Sequence, residues 1–133
     1  RLPHGGSGVR LHFDPGENLT VNLNEDLYRW VIENLIKNSL EAVDSRSGQI
    51  AVRTYPDHGG KNIKVEVADN GRGVDTRDAR RIFRPGYTTK RRGWGLGLSL
   101  ARRIIHDYHK GTIVLASGEQ GKGARFVITL PIA

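Results

Sequence analysis

Three groups of residues in this 133-residue chain have types and spacings suited to chemistry. The first is Asp69-Asn70-Gly71-Arg72-Gly73, which closes an alternating segment, Asn62 to Asp69. An acidic residue at a strand's end, followed by glycines spaced one apart, leaves a carboxylate beside a backbone bare enough for a flat ligand to approach. A carboxylate only accepts hydrogen bonds, so it would select an exocyclic amine such as that of adenine. Asn-Gly after an alternating strand is also a hairpin signal, and the short motif alone leaves both readings open.

The second group is Gly93-Trp94-Gly95-Leu96-Gly97-Leu98, which runs directly into a helical pattern. Glycine-rich backbone ahead of a helix exposes amides and the positive end of the dipole, both suited to phosphate oxygens. It is not a P-loop, because Leu98 rather than Lys-Ser or Lys-Thr follows Gly97, and it is not a dinucleotide fingerprint, because Lys90-Arg91-Arg92 rather than a strand precedes it. Taken alone, it also fits a flexible surface loop. The third group is Asn34 and Asn38, four apart on a helical pattern and on the margin of its apolar stripe. Carboxamides there can satisfy backbone groups, or their oxygens can serve as hard ligands for Mg²⁺. Glu33 and Lys37 point about 100° away and read as solvated.

Other chemistries find little support. No cysteine is present, which removes disulfides, thiolate metal sites and cysteine nucleophiles. The five histidines show no metal-ligand spacing; His106 and His109 fall at a helix end, where a cation favours the dipole. No Gly-x-Ser-x-Gly elbow is present. No apolar run approaches the ~20 residues of a membrane-spanning helix. The chain has the size of a single domain, and 37% hydrophobic with 26% charged residues suits a soluble one. Its net charge of +7 suggests an anionic partner, but the whole excess lies between Asp75 and Lys110, with ten basic and three acidic residues. That confinement makes the charge a local feature of an otherwise neutral chain. Ten of the seventeen glycines fall between Gly71 and Gly123, around the same stretch.

The elements that must position these groups follow from periodicity. Val9, Leu11 and Phe13 alternate with polar residues as in a strand, stopped by Asp14-Pro15-Gly16, and a second short strand is expected over Leu19 to Leu23. Asn24 is a plausible N-cap for a helix reaching about Asp44, with Leu27, Val31, Leu35 and Ala42 at helical spacing. Strands Gln49 to Tyr55 and Asn62 to Asp69 flank the turn Pro56 to Gly60. Asp75 to Phe83 reads as a short Arg-rich helix, and Leu98 to Tyr108 as a helix with Leu100, Ile104 and Ile105 on one side, ended by Gly111. Strands Thr112 to Ala116 and Ala124 to Leu130 close the chain. The order implies an α+β two-layer sandwich, with one mixed, mostly antiparallel sheet and about three helices on one face.

The order of the motifs is more specific than any one of them. Glu33 to Ala42, then Asp69 to Val74, then Ile82 to Lys90, then Gly93 to Leu98, then Gly121 to Phe126 resembles the N, G1, F, G2 and G3 boxes of sensor histidine kinases. The resemblance covers about Leu19 to Pro131 and implies the catalytic, ATP-binding domain of such a kinase. That domain has the Bergerat fold of the gyrase, Hsp90, histidine kinase and MutL superfamily. Thr88-Thr89-Lys90 and the short gap to Gly93 are most similar to the nitrogen-regulation type.

The resemblance implies that Asp69 accepts from the adenine amino group, that Gly71 and Gly73 let the base pack closely, and that Val74 lines the same pocket. Asn38 would ligate Mg²⁺, with Asn34 beside it in a catalytic position. Residues Tyr87 to Gly97 would form a mobile lid, contributing Thr88, Thr89, Lys90, Gly93, Gly95, Leu96, Gly97 and Leu98 to the nucleotide, with Lys90 reaching a terminal phosphate. It implies that ATP and Mg²⁺ are bound and that the γ-phosphoryl group passes to a histidine on a separate dimerisation and phosphoacceptor domain. A response regulator receiver domain would be an indirect partner, and nucleic acid none. The implied context is a cytosolic domain, monomeric alone and dimeric in the whole kinase. No histidine here sits in a phosphoacceptor-like His-Glu context, so that domain is expected to lie outside this chain.

Three departures qualify the match. Asn34 stands where hydrolysing members of the superfamily place a water-activating glutamate. Trp94 takes a position usually held by a small Thr or Ser, and Ala124 replaces a frequent Thr, which puts a hydrogen bond near Asp69 in doubt. Competing readings are an ATPase or a serine kinase of the anti-sigma type and, from another class, a basic docking module with a degenerate nucleotide site. Asn34 and the Thr88-Thr89-Lys90 lid argue against the ATPase. The docking module would call for surface aromatics beside the basic residues, where only Tyr87 and Trp94 qualify.

Overall fold

The computed structural model describes residues 8–16, 20–86, 97–117 and 123–132. Strand β1 (Arg10–Asp14) leads to helix α1 (Glu25–Ala42), followed by strands β2 (Gln49–Pro56) and β3 (Asn62–Asp69). Helix α2 (Gly97–Arg103) continues as a π-helical turn, Ile104–Tyr108, and strands β4 (Thr112–Ser117) and β5 (Arg125–Pro131) complete the fold. The sheet order is β1-β2-β3-β5-β4; β1 is parallel to β2 and the other pairs are antiparallel.

Helix α1 starts where an N-cap is available: the Asn24 side chain accepts from the Leu27 N–H at 3.1 Å, and Glu25 and Asp26 sit at the positive end of the dipole. It buries Val31, Leu35 and Ser39, one residue per turn, against the sheet. The sequence reading passed over Ser39 in this stripe because it is polar, yet it is 1% exposed and its hydroxyl has no partner. The helix ends at Ala42 rather than near Asp44, with the Val43 N–H closing on the Ser39 carbonyl. Tyr28, on the flank of the stripe, has its phenol pushed up to about 12 by burial.

The period-two register of β3 sends Ile63, Val65 and Val67 into the helix-covered face, beside Val52 of β2 and Phe126, Ile128 and Leu130 of β5. Asp69 continues that alternation and therefore faces the helical layer. On the helix-free face, Glu66 is 5% exposed between Arg53 and Arg125, and it accepts from the Tyr55 hydroxyl. That bond raises the Tyr55 pKa above its ordinary value.

Four expectations need correction. The third helix, Asp75 to Phe83, is instead two 3₁₀ turns, Thr76–Asp78 and Arg81–Phe83. The second has no side-chain cap, and only Ile82 and Phe83 bury, too short an apolar stripe to sustain a helix. The expected strand Leu19 to Leu23 reduces to one antiparallel bridge, Val21 to Ile132, and its first residue lies outside the described ones. In α2 the inward residue is Ala101, and Leu100 is 44% exposed. The left-handed residue after the helical run is Lys110 (φ 55) rather than Gly111, whose N–H bonds the Ile105 carbonyl at 2.9 Å.

Candidate functional site

The loop after β3 is shaped by its own hydrogen bonds. Asp69 Oδ1 accepts from the Gly71 N–H at 2.8 Å and from the Ala124 N–H at 3.3 Å, while the Asp69 N–H bonds the Ala124 carbonyl at 2.9 Å. Ala124 thus bonds Asp69 through both its backbone groups. One carboxylate oxygen is pinned by two backbone donors, and among the described residues no donor is paired with Oδ2. This loop is not a hairpin turn, because β3 pairs only with β2 and β5 and the next strand in sequence, β4, lies at the far edge.

The same loop docks on the C-terminal end of α1. The Arg72 N–H bonds the Ala42 carbonyl at 3.1 Å, and Arg72 Nη1 bonds that of Glu41 at 3.1 Å, so two carbonyls left over at the helix end are satisfied, one by a backbone N–H and one by a cation favourable to the dipole. A Cβ on Gly71 would come within 2.5 Å of the Ala42 carbonyl oxygen. The close approach at Gly71 is therefore to the helix end. Asn70 ties the loop to the chain following α1, accepting from the Gln49 N–H at 2.8 Å and donating to the Ser47 carbonyl at 3.1 Å. Gly73 adopts φ 74, and Val74 is half-buried against the core. Further on, the Arg77 guanidinium holds the half-buried Asp75 carboxyl down to about 2.

At its other end this face of α1 meets the start of α2. A Cβ on Gly97 would stand 2.8 Å from Asn34 Oδ1 and 2.9 Å from Asn34 Nδ2, so the carboxamide lies directly against the first residue of that helix. Asn34 Nδ2 is buried and has no hydrogen-bond partner. Asn34, Asn38 and Ala42 fall at i, i+4 and i+8, forming one line about 12 Å long on α1 from Gly97 to the Asp69 loop. Asn38 stands midway and is half-buried. Leu98 is half-buried against the core. Thr88, Thr89, Lys90, Gly93, Gly95 and Leu96, with the rest of the expected lid up to 96, lie outside the described residues.

Sequence reasoning missed a further buried polar group. His109, read only as a residue at a helix end where a cation favours the dipole, is 5% exposed and bonded through both ring nitrogens. The available signal was its spacing of four from Ile105, which continues the buried side of the helical run.

Residues 23–133 match the family described as Histidine kinase-, DNA gyrase B-, and HSP90-like ATPase. The sensor histidine kinase ZraS of Escherichia coli O157:H7 is 36% identical over 125 residues, 93% of this chain; the chain spans only about a quarter, 26%, of ZraS. The nucleotide-free catalytic domain of histidine kinase ThkA is similar with a TM-score of 0.80 at 29% identity, covering 93% of this chain and 80% of that one. Full-length ShkA in complex with AMPPNP is similar with a TM-score of 0.82 at 27% identity, covering 95% of this chain and 26% of that one. The chain therefore belongs to the histidine kinase-, DNA gyrase B- and HSP90-like ATPase family, and within it is similar to the catalytic domains of sensor histidine kinases.

Proposed function

We propose that this domain binds Mg²⁺-ATP along the Asn34–Asn38–Ala42 face of α1 and donates the γ-phosphoryl group to a histidine on a separate phosphoacceptor domain. The observation that carries the reading is Asp69, which is fixed through Oδ1 by two backbone N–H groups and faces the helical layer, with no donor on Oδ2 among the described residues. An adenine amino group supplies that donor. The AMPPNP carried by ShkA supports the same reading.

The residues present fit the expected metal. Asn38 offers a carboxamide oxygen of the kind Mg²⁺ takes among its few protein ligands, and the buried, unpartnered Asn34 Nδ2 is a donor awaiting a phosphate oxygen or a metal-bound water. When bound, Mg²⁺ neutralises phosphate charge. Asn34 orients without acting as a base, because a carboxamide cannot take a proton from water at neutral pH. Phosphoryl transfer needs positioning and charge neutralisation more than a strong base, whereas hydrolysis by the glutamate route needs the carboxylate that Asn34 lacks. Thr88, Thr89, Lys90 and the glycines 93, 95 and 97 would enclose the phosphates, with Leu98 anchoring the lid's end and Val74 beside the base. The acceptor domain, the dimer it forms and the downstream receiver domain are the partners this reading requires, all in the cytosol. Among the described residues no helix is long and apolar enough to cross a membrane.

With labelled ATP and a histidine phosphoacceptor domain of a related kinase added in trans, label is expected on the acceptor histidine, with little phosphate released to water. Phosphate release without acceptor labelling would favour an ATPase instead.

A further inference from the structure

His109 lies at the far end of the two helices that carry the site, and its hydrogen bonds define its state. Nδ1 is 3.0 Å from the Ile104 carbonyl oxygen, which can only accept, so Nδ1 carries the proton. Nε2 then has a lone pair, and it accepts the Asn24 N–H at 3.0 Å across 85 residues of sequence. Asn24 is the N-cap of α1, and the ring also meets Tyr28 of α1 edge-on, with centroids 6.5 Å apart. The π-helical turn Ile104–Tyr108 directly precedes His109. Helices α1 and α2 are therefore tied at two places, by His109 to Asn24 at one end and by Asn34 against Gly97 at the other.

Between these points most of the buried side chains are apolar, Val31, Leu35, Ala101, Ile104 and Ile105, with Ser39 and Ser99 buried beside them. Apolar burial is non-directional and does not by itself fix how far one helix slides along another. A directed hydrogen bond to the first turn of α1 does. From Asn24 to Asn34 the helix is a rod of about 15 Å, so a displacement at one end is transmitted to the other. We infer that His109 is a positioning residue for the nucleotide site: by accepting from Asn24 it sets the axial register of α1 against α2 and so holds Asn34 over Gly97. This rests on the nucleotide reading above.

Two substitutions separate the bonds. His109→Gln places a carboxamide oxygen near the Nε2 position and keeps the acceptor for Asn24; His109→Asn keeps a donor near Nδ1 for Ile104 and removes that acceptor. Both lose the ring, so loss of packing affects them alike. In calorimetric titration with Mg²⁺-AMPPNP, the Gln variant is expected to bind within about twofold of wild type and the Asn variant about fivefold or more weaker, the range of one net hydrogen bond. Amide exchange at the buried Ala101, one turn into α2, should be faster in the Asn variant than in the Gln variant. Equal affinities in the two variants, or losses that simply follow their thermal unfolding midpoints, would overturn the inference. A wild type that fails to bind AMPPNP would overturn the nucleotide reading instead, and the register claim would then be decided by exchange at Ala101, where equal rates refute it.

Discussion

Asp69→Asn is expected to lower the affinity for Mg²⁺-ATP by about 100-fold or more, the cost of opposing a buried donor to a donor. The reason lies in the two backbone bonds to Oδ1. Gly71 and Ala124 present N–H groups, so the substituted carboxamide must turn its own oxygen toward them. Its NH₂ then occupies the position of Oδ2 and faces the adenine amino group, donor against donor. The local fold keeps its bonds, so the unfolding midpoint should shift little while calorimetric binding is lost. An affinity within threefold of wild type would mean that the base is held elsewhere.

Gly97→Ala carries the second large effect. Its Cβ would lie 2.8 and 2.9 Å from the two polar atoms of the Asn34 carboxamide, closer than real Cβ contacts come. Either Asn34 leaves its place or α2 moves off α1; both disturb the phosphate end of the site, and a loss of about tenfold in ATP affinity, near 1.4 kcal/mol, is expected. The effect should depend on Asn34. In an Asn34→Ala background the same substitution should cost almost nothing further, so a double-mutant cycle on dissociation constants should show strong coupling. Additive effects would show that Gly97 acts through the lid alone.

Much of this was legible from local chemistry. Asn24 was readable as a cap because an Asn before an acidic first turn and an apolar repeat satisfies orphan amides in any context. The strand Asn62 to Asp69 followed from alternation, and the structure extends that alternation to Asp69 on the inner face. The ordered motifs indicated the family. What was not legible depended on distant partners. The parallel pairing of β1 with β2 and the insertion of β5 between β3 and β4 are set by packing of the whole sheet. The burial of His109 had a signal in its spacing from Ile105, but its hydrogen bond could not be read because the partner is 85 residues away. Leu100 faces outward because Ala101, Ile104 and Ile105 fill the inner side, a choice that hydrophobicity alone reversed. Ser39 is buried because its position, one turn after Leu35, outweighs the cost of one hydroxyl.

The central claim is that this face of α1 and the Asp69 loop form an adenine nucleotide site. Calorimetric titration of the unaltered domain with AMPPNP and with GMPPNP, each with and without Mg²⁺, tests it most directly. Guanine carries a carbonyl oxygen where adenine carries its amino group, and that oxygen would face the Asp69 carboxylate. The predicted result is one site for AMPPNP, strengthened by Mg²⁺, and at least about 100-fold weaker binding of GMPPNP, as expected of a site built to accept from the base. Equal binding of the two nucleotides, or none of either, would contradict it.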